Sequence, residues 1–114
     1  MNNNFRAGVA EALGVFLLVF AGGSAICMDV YTAGFGGGAG KVGLMGIALA
    51  HGLALSAGIY AAAGHSKAVI NPAVTFGLML IGKMKIGEAV NYIIMQLIGG
   101  VLGGLAVWSL FRNM

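Results

Sequence analysis

Charged side chains are scarce in this sequence. Only 8% of its 114 residues are Asp, Glu, Lys or Arg, whereas soluble domains carry about a quarter. Hydrophobic residues make up 60% of the chain and the mean hydropathy is +0.98, which excludes an ordinary soluble domain. The sequence therefore predicts an integral, multi-pass membrane protein in contact with the lipid bilayer. The length suits a single unit over 1–114.

Side chains that perform chemistry are equally few. The single cysteine, Cys27, excludes an intramolecular disulfide and offers no metal-ligand spacing, so we interpret it as a small buried hydrophobic residue. Two histidines without a placed nucleophile or ligand cluster do not make an enzyme. We therefore predict no catalytic residue, no metal site and no cofactor. The net charge of +3 is too small and too scattered to indicate nucleic-acid binding.

The only proline follows an asparagine, in the pair Asn71-Pro72. An asparagine side chain caps the first turn of a helix, and proline suits the first helical position. The pair predicts a helix over 72–81, about 15 Å long, or half of a ~30 Å hydrocarbon core. Residues 64–70, if extended, could descend to the same depth. The segment 64–81 is thus predicted to enter the membrane halfway and to return as a half-helix.

Such a half-helix directs its positive end toward the middle of the membrane. With the Asn71 Oδ1 atom used in the cap, the NH2 group is free to donate into a cavity. Carbonyl groups of the preceding arm would act as acceptors that lead toward it, a pattern that would suit water. The arm comprises Gly64, His65, Ser66, Lys67, Ala68, Val69 and Ile70.

Three apolar segments are long enough to cross a bilayer. We predict spans over residues 5–27, 42–63 and 86–110, which together with the half-helix make an all-α membrane protein. The glycine-rich stretch 28–41 is expected to be a flexible connector. Four basic residues lie on the side of the N-terminus and two on the other, a weak bias that favours a cytoplasmic N-terminus.

Small residues recur at helical spacing in two of these spans and predict faces for close helix packing. The second span has them at every fourth position, and the third has two overlapping pairs. They are Gly46, Ala50, Ala54, Gly58 and Ala62, followed by Gly99-xxx-Gly103 and Gly100-xxx-Gly104.

Polar side chains within the spans require an explanation, because they are unfavourable in lipid. Glu11 has three interpretations: a functional intramembrane acid, a carboxylate near the headgroups, or an acceptor for N–H groups of the irregular loop. His51 is either a structural residue or one that faces a pore. Gln96 is expected to need a partner on another helix.

The order of several short motifs resembles that of the aquaporin, or major intrinsic protein, family. The resemblance covers nearly the whole chain. Its motifs are Ala10-Glu11-Ala12-Leu13-Gly14, Phe16-Leu17-Leu18-Val19-Phe20, Ala50-His51-Gly52-Leu53-Ala54, Gly64-His65, Ile70-Asn71-Pro72-Ala73-Val74-Thr75, Tyr92 and Gln96. The resemblance implies that Glu11 braces the re-entrant loop and that Asn71, with Pro72 and Ala73, meets the permeant at the centre of a pore.

The sequence departs from the family in having one such half instead of two inverted halves. The loop is also one residue shorter, with Ser66-Lys67-Ala68-Val69 in place of a glycine-containing run. One half cannot enclose the family's pore, so the resemblance implies a homo-oligomer built from inverted dimers. Two alternatives stay open: a non-conducting fragment or partner subunit of a full-length channel, and a dual-topology proton-coupled exporter that uses Glu11.

The resemblance also implies a selectivity constriction, which the family forms at fixed distances from its Asn-Pro-Ala motifs. Counted from Asn71, those positions are His51, Ile59, Ala68 and Val74. Val74 replaces the family's usual arginine, which removes five donors and a permanent charge. We therefore expect a passive pore in the cell membrane for water and small neutral solutes such as glycerol, urea or ammonia.

Overall fold

The computed structural model describes residues 3–34 and 38–114, and all four elements within them are helices. Helix α1 spans Asn3–Ala33, α2 spans Gly43–Ala62, α3 spans Pro72–Leu80 and α4 spans Ile86–Phe111. Helices α1, α2 and α4 are long and apolar enough to cross a membrane. The expected fold class, three long helices with one short half-helix, is confirmed.

The first helix is longer than the expected span, and the connector is correspondingly shorter. The prediction that residue 28 begins a flexible connector is wrong, because α1 continues to Ala33. Residues 28–33 contain neither glycine nor proline, and the helix ends where Gly34 takes a φ of +71°, a value that favours glycine. Residues 35–37 of the predicted connector lie outside the described residues.

Two side chains of the last turns of α1 hold the start of α2. The Asp29 carboxylate accepts a hydrogen bond from the Gly43 amide at 2.7 Å. The Thr32 hydroxyl accepts one from the Lys41 amide at 2.9 Å. The bond from Gly43 satisfies an amide group that the first turn of a helix leaves unpaired, and both bonds tie the end of the connector to α1.

Helix α1 lies between the other two long helices. It packs against both α2 and α4, whereas α2 and α4 do not approach each other within the described part of the chain. The half-helix α3 packs on α4. The side of the molecule between α2 and α4 is therefore open. Outward-facing residues are large and apolar, for example Leu44, which is 83% exposed.

Glycines bring the helix axes together, and the structure selects among the predicted small-residue faces. A Cβ atom on Gly99 would lie 2.9 Å from Ala12 Cα and closer to its carbonyl group, and one on Gly103 would lie 3.1 Å from the Phe16 carbonyl oxygen. The pair Gly100-xxx-Gly104 packs less closely, since a Cβ at Gly104 would meet nothing within 4 Å.

Helix α2 buries the end of its small-residue stripe and leaves the beginning partly exposed. Gly58 and Ala62 are buried, whereas Gly46, Ala50 and Ala54 are not. The reason is that, within the described residues, α2 packs on a single helix, α1, and its backbone comes close to α1 where Gly58 faces Gly14. Cys27, expected to be buried, is half-buried on α1.

Candidate functional site

The short helix α3 begins at Asn71 with a complete side-chain cap. Asn71 has extended backbone angles, and its Oδ1 atom accepts from the Ala73 amide at 2.9 Å and from the Val74 amide at 3.3 Å. Pro72 occupies the first helical position. The Asn71 carbonyl accepts from both the amide and the hydroxyl of Thr75. The Asn71 Nδ2 group donates to no described residue and lies on an exposed side chain.

The arm that leads to Asn71 is bound through its amide groups. The Lys67 amide donates to the Tyr92 hydroxyl at 2.9 Å, the Ala68 amide to Ser66 Oγ at 2.9 Å, and the Ile70 amide to Glu11 Oε1 at 2.8 Å. Each of these partners belongs to the protein interior or to the arm itself. The arm is therefore held from one side by the helices behind it.

The carbonyl groups of the same arm are left as acceptors. No hydrogen bond within the described residues ends on a carbonyl oxygen of residues 64–70. Ala68 and Ile70 both have positive φ, +52° and +43°. Residues other than glycine rarely adopt these angles, and such strain persists only where the surroundings enforce it.

The packing of the Ile70 side chain helps to hold these strained backbone angles. Its side chain is 2% exposed and lies in the crossing of α1 and α2, against Gly14 and 3.2 Å from the position that a Cβ on Gly58 would take. Both glycines are thus required by the same inserted side chain. The arm is locked by an apolar contact as well as by its hydrogen bonds.

The buried side chain of Glu11 joins three parts of the site: α1, the arm and α4. It is fully buried; Oε1 accepts from the Ile70 amide and from Gln96 Nε2, both at 2.8 Å, and Oε2 accepts from Ser66 Oγ at 2.6 Å. Three donors from the arm and α4 therefore converge on one carboxylate of α1. This geometry favours the bracing interpretation of Glu11 over a carboxylate at headgroup level.

Gln96 extends this network to the half-helix. Its Nε2 group contacts Thr75 Oγ1 at 3.0 Å, and both side chains are at most 1% exposed. The partner that Gln96 was expected to need is thus a pair, Glu11 and Thr75. The role of Thr75 was missed in the sequence, although a polar residue in an apolar half-helix is a signal for one. Tyr92, which holds the arm, was noted only as part of a motif.

Two contacts tie the outer end of the arm to the helices. Lys67 Nζ lies 2.7 Å from Glu88 Oε1 on α4, and this hydrogen bond with the carboxylate raises the pKa of Lys67. On the other side, Arg6 Nε donates to His65 Nδ1 at 2.7 Å. The arm is therefore attached to the first turn of α1 and to the first turn of α4.

The four residues expected at a constriction lie on three elements of the chain. His51 is in the middle of α2, where its Nδ1 atom is 2.8 Å from the Ile47 carbonyl and its ring packs against Gly22 of α1. Ile59, also on α2, is 38% exposed, and Val74, in the first turn of α3, is 49% exposed. Ala68 belongs to the arm. No described hydrogen bond joins any of the four to another.

Comparison with known proteins shows the family. The family model described as Major intrinsic protein matches residues 1–114, and the chain belongs to that family. It is 39% identical over 99 residues to aquaporin PIP1-6 of Zea mays, an alignment that covers 87% of this chain and 32% of the relative.

Two further relatives are similar to the chain at comparable identity. The chain is 42% identical over 107 residues to the probable aquaporin TIP3-2 of Arabidopsis thaliana, covering 90% of this chain and 40% of the relative. It is 42% identical over 106 residues to aquaporin AqpM of Methanothermobacter marburgensis, an alignment that covers 83% of this chain and 43% of the relative. The chain thus spans less than half the length of these relatives.

Proposed function

We propose that this protein forms a passive transmembrane channel for water and small neutral solutes such as glycerol, urea or ammonia, in a cell membrane. The observation that carries the proposal is the junction at Asn71. There, an amide NH2 group without a described partner lies at the positive end of a half-helix, and it follows an arm whose carbonyl oxygens accept no described hydrogen bond. A central donor approached by acceptors suits a file of water molecules, and the helix dipole disfavours cations.

The proposed pore is completed by a second copy in the opposite orientation. Irregular backbone at membrane depth must be covered by protein or line an aqueous cavity, since each unsatisfied group in lipid costs several kcal/mol. The open side between α2 and α4 leaves Asn71 and Val74 exposed. An inverted copy would bring two half-helix N-termini together, and the relatives are long enough to contain two such halves.

Two alternative functions make different predictions. A proton-coupled exporter would use Glu11 as its proton site, but protonation of Glu11 would weaken three hydrogen bonds that hold the arm and α4. A non-conducting partner of a full-length channel would need a second, different protein. Reconstitution of the purified chain separates these: solute flux without a proton gradient supports the channel, proton-driven uptake supports the exporter, and no flux supports the partner.

Cysteine cross-linking tests the inverted pairing. In a background with Cys27→Ser, the variant Asn71→Cys is expected to form disulfide-linked dimers in the membrane, because inverted pairing brings the two half-helix tips together. Leu44→Cys, at an outward-facing position of α2 that is 83% exposed, serves as the control and is expected to stay monomeric. Labelling of both termini from one side of the membrane only, together with channel activity of the pure protein, would contradict the pairing.

His51 is expected to limit solute flux through the proposed pore. Its imidazole ring is larger than a methyl group, so His51→Ala should widen the constriction and raise glycerol flux. The control is Leu44→Ala, at an outward-facing position of α2 that is 83% exposed, which should leave flux unchanged. Stopped-flow flux through proteoliposomes that does not respond to His51→Ala would place His51 outside the pore.

A further inference from the structure

A concave surface lies beside the first turns of α1. It is a groove of about 280 Å³ between α1 and the end of α2. Its walls are apolar and its end is polar. The lining residues are Arg6, Val9, Ala10, Leu13, Ala61 and His65. Leu13 is 57% exposed, so the groove is open to the surroundings of the helix.

The position of the groove follows from the helix period. Leu13 comes two residues after Glu11, which places the two side chains about 200° apart around α1. Glu11 faces the arm, so Leu13 and the groove face lipid. Arg6 lies in the first turn of α1, whose 31 residues give a length of about 46 Å, more than the ~30 Å hydrocarbon core. The polar end of the groove is thus at headgroup level and its apolar walls lie deeper.

The polar end offers hydrogen-bond donors. Arg6 Nε donates to His65 Nδ1 at 2.7 Å, which fixes the plane of the guanidinium group, and the terminal guanidinium nitrogens donate to no described residue. A neutral His65 that accepts at Nδ1 carries its proton at Nε2 and is a donor there. No acidic residue is among the described residues that line the groove. A planar guanidinium held in one orientation suits the oxygens of a phosphate.

We propose that this groove binds an anionic phospholipid, with its phosphate on Arg6 and His65 and part of one acyl chain along Val9, Leu13 and Ala61. The charge of the polar end matches the phosphate, and the depth order of polar and apolar parts matches that of a lipid. The groove is smaller than a typical pocket for a whole ligand, so it fits one segment of a chain. The proposal requires insertion in a membrane and is independent of the proposed pore.

Lipid titration of the detergent-solubilised protein tests the site. Phosphatidylglycerol is expected to bind, observed as adducts by native mass spectrometry and as a higher unfolding temperature, whereas phosphatidylcholine with the same chains should bind more weakly. Arg6→Gln should weaken phosphatidylglycerol binding about tenfold, the effect of one charge-assisted contact. Lys83→Gln removes a different exposed cation and should leave binding unchanged.

A second variant and a soluble probe distinguish lipid binding in the groove from nonspecific electrostatic attraction to Arg6. Leu13→Trp fills the groove without altering Arg6 and should also reduce binding, while the exposed position keeps the fold intact. Glycerol 3-phosphate, which has the headgroup without the chains, should neither bind nor stabilise. Equal phosphatidylglycerol binding by wild type, Arg6→Gln and Leu13→Trp would overturn the proposal, and so would equal binding of the soluble phosphate.

Discussion

Replacing Glu11 with leucine is expected to leave no stably folded protein. Leucine is close to glutamate in size but accepts no hydrogen bond, so the Ile70 amide, Ser66 Oγ and Gln96 Nε2 would lose their shared acceptor in the interior. Each unsatisfied buried donor costs about 1–3 kcal/mol. Three of them approach the whole stability of a small domain, about 5–15 kcal/mol. Unfolding in denaturing detergent, followed by Trp108 fluorescence, measures the loss.

Glu11→Gln should be less damaging than Glu11→Leu, because the amide keeps one oxygen acceptor and the shape of the side chain while the charge is lost. Glu88→Gln is the control: Glu88 is 32% exposed and its hydrogen bond to Lys67 is at the surface. It should remain close to wild type. Wild-type stability of Glu11→Leu would contradict the bracing role. A stable Glu11→Gln that has lost proton-driven uptake would instead support the exporter.

Replacing Gly99 with alanine is expected to disrupt the crossing of α1 and α4. The added methyl group would lie 2.8 Å from the Ala12 carbonyl carbon, and backbone cannot turn aside as a flexible side chain can. Overpacking of this kind costs about 1–3 kcal/mol, and separation of the helices would also loosen the contact between Gln96 and Glu11. The same unfolding assay should show a large fall in stability.

Gly104→Ala is a matched control for this variant, since a methyl group there meets nothing within 4 Å. Both substitutions give the same gain in helix propensity, about 1 kcal/mol, so the difference between them isolates the contact with Ala12. Equal stability of the two variants would show that α1 and α4 are not packed as closely as the structure has them.

The two overlapping glycine pairs of α4 illustrate a limit of sequence analysis. Gly99-xxx-Gly103 and Gly100-xxx-Gly104 have the same spacing and composition, so both predicted a packing face. Which pair meets α1 depends on the rotation of α4, and that rotation is set by contacts from Gln96 and Tyr92 to residues far along the chain. A one-residue difference in register turns a helix by about 100°.

The C-terminal end of α1 shows a similar limit of predicting structure from local sequence. The stretch 28–41 was predicted as a connector from its glycine content as a whole, but its glycines begin only at Gly34. The six residues before Gly34 continue the helix. Asp29 then accepts from the first amide of α2, and Thr32 accepts from the Lys41 amide just before it. The sequence contained this boundary, and the position of the first glycine was the signal for it.

The sequence by itself determined the three long apolar helices and the start of α3 at Asn71-Pro72. Hydropathy and capping depend on neighbouring residues, so they can be inferred from a short window. The tertiary structure decided what Glu11 contacts, because its partners are 55 to 85 residues away in the chain. It also decided the positive φ angles of Ala68 and Ile70, which no local preference favours. A buried charge requires partners, but only the packing of the helices determines which donors reach it.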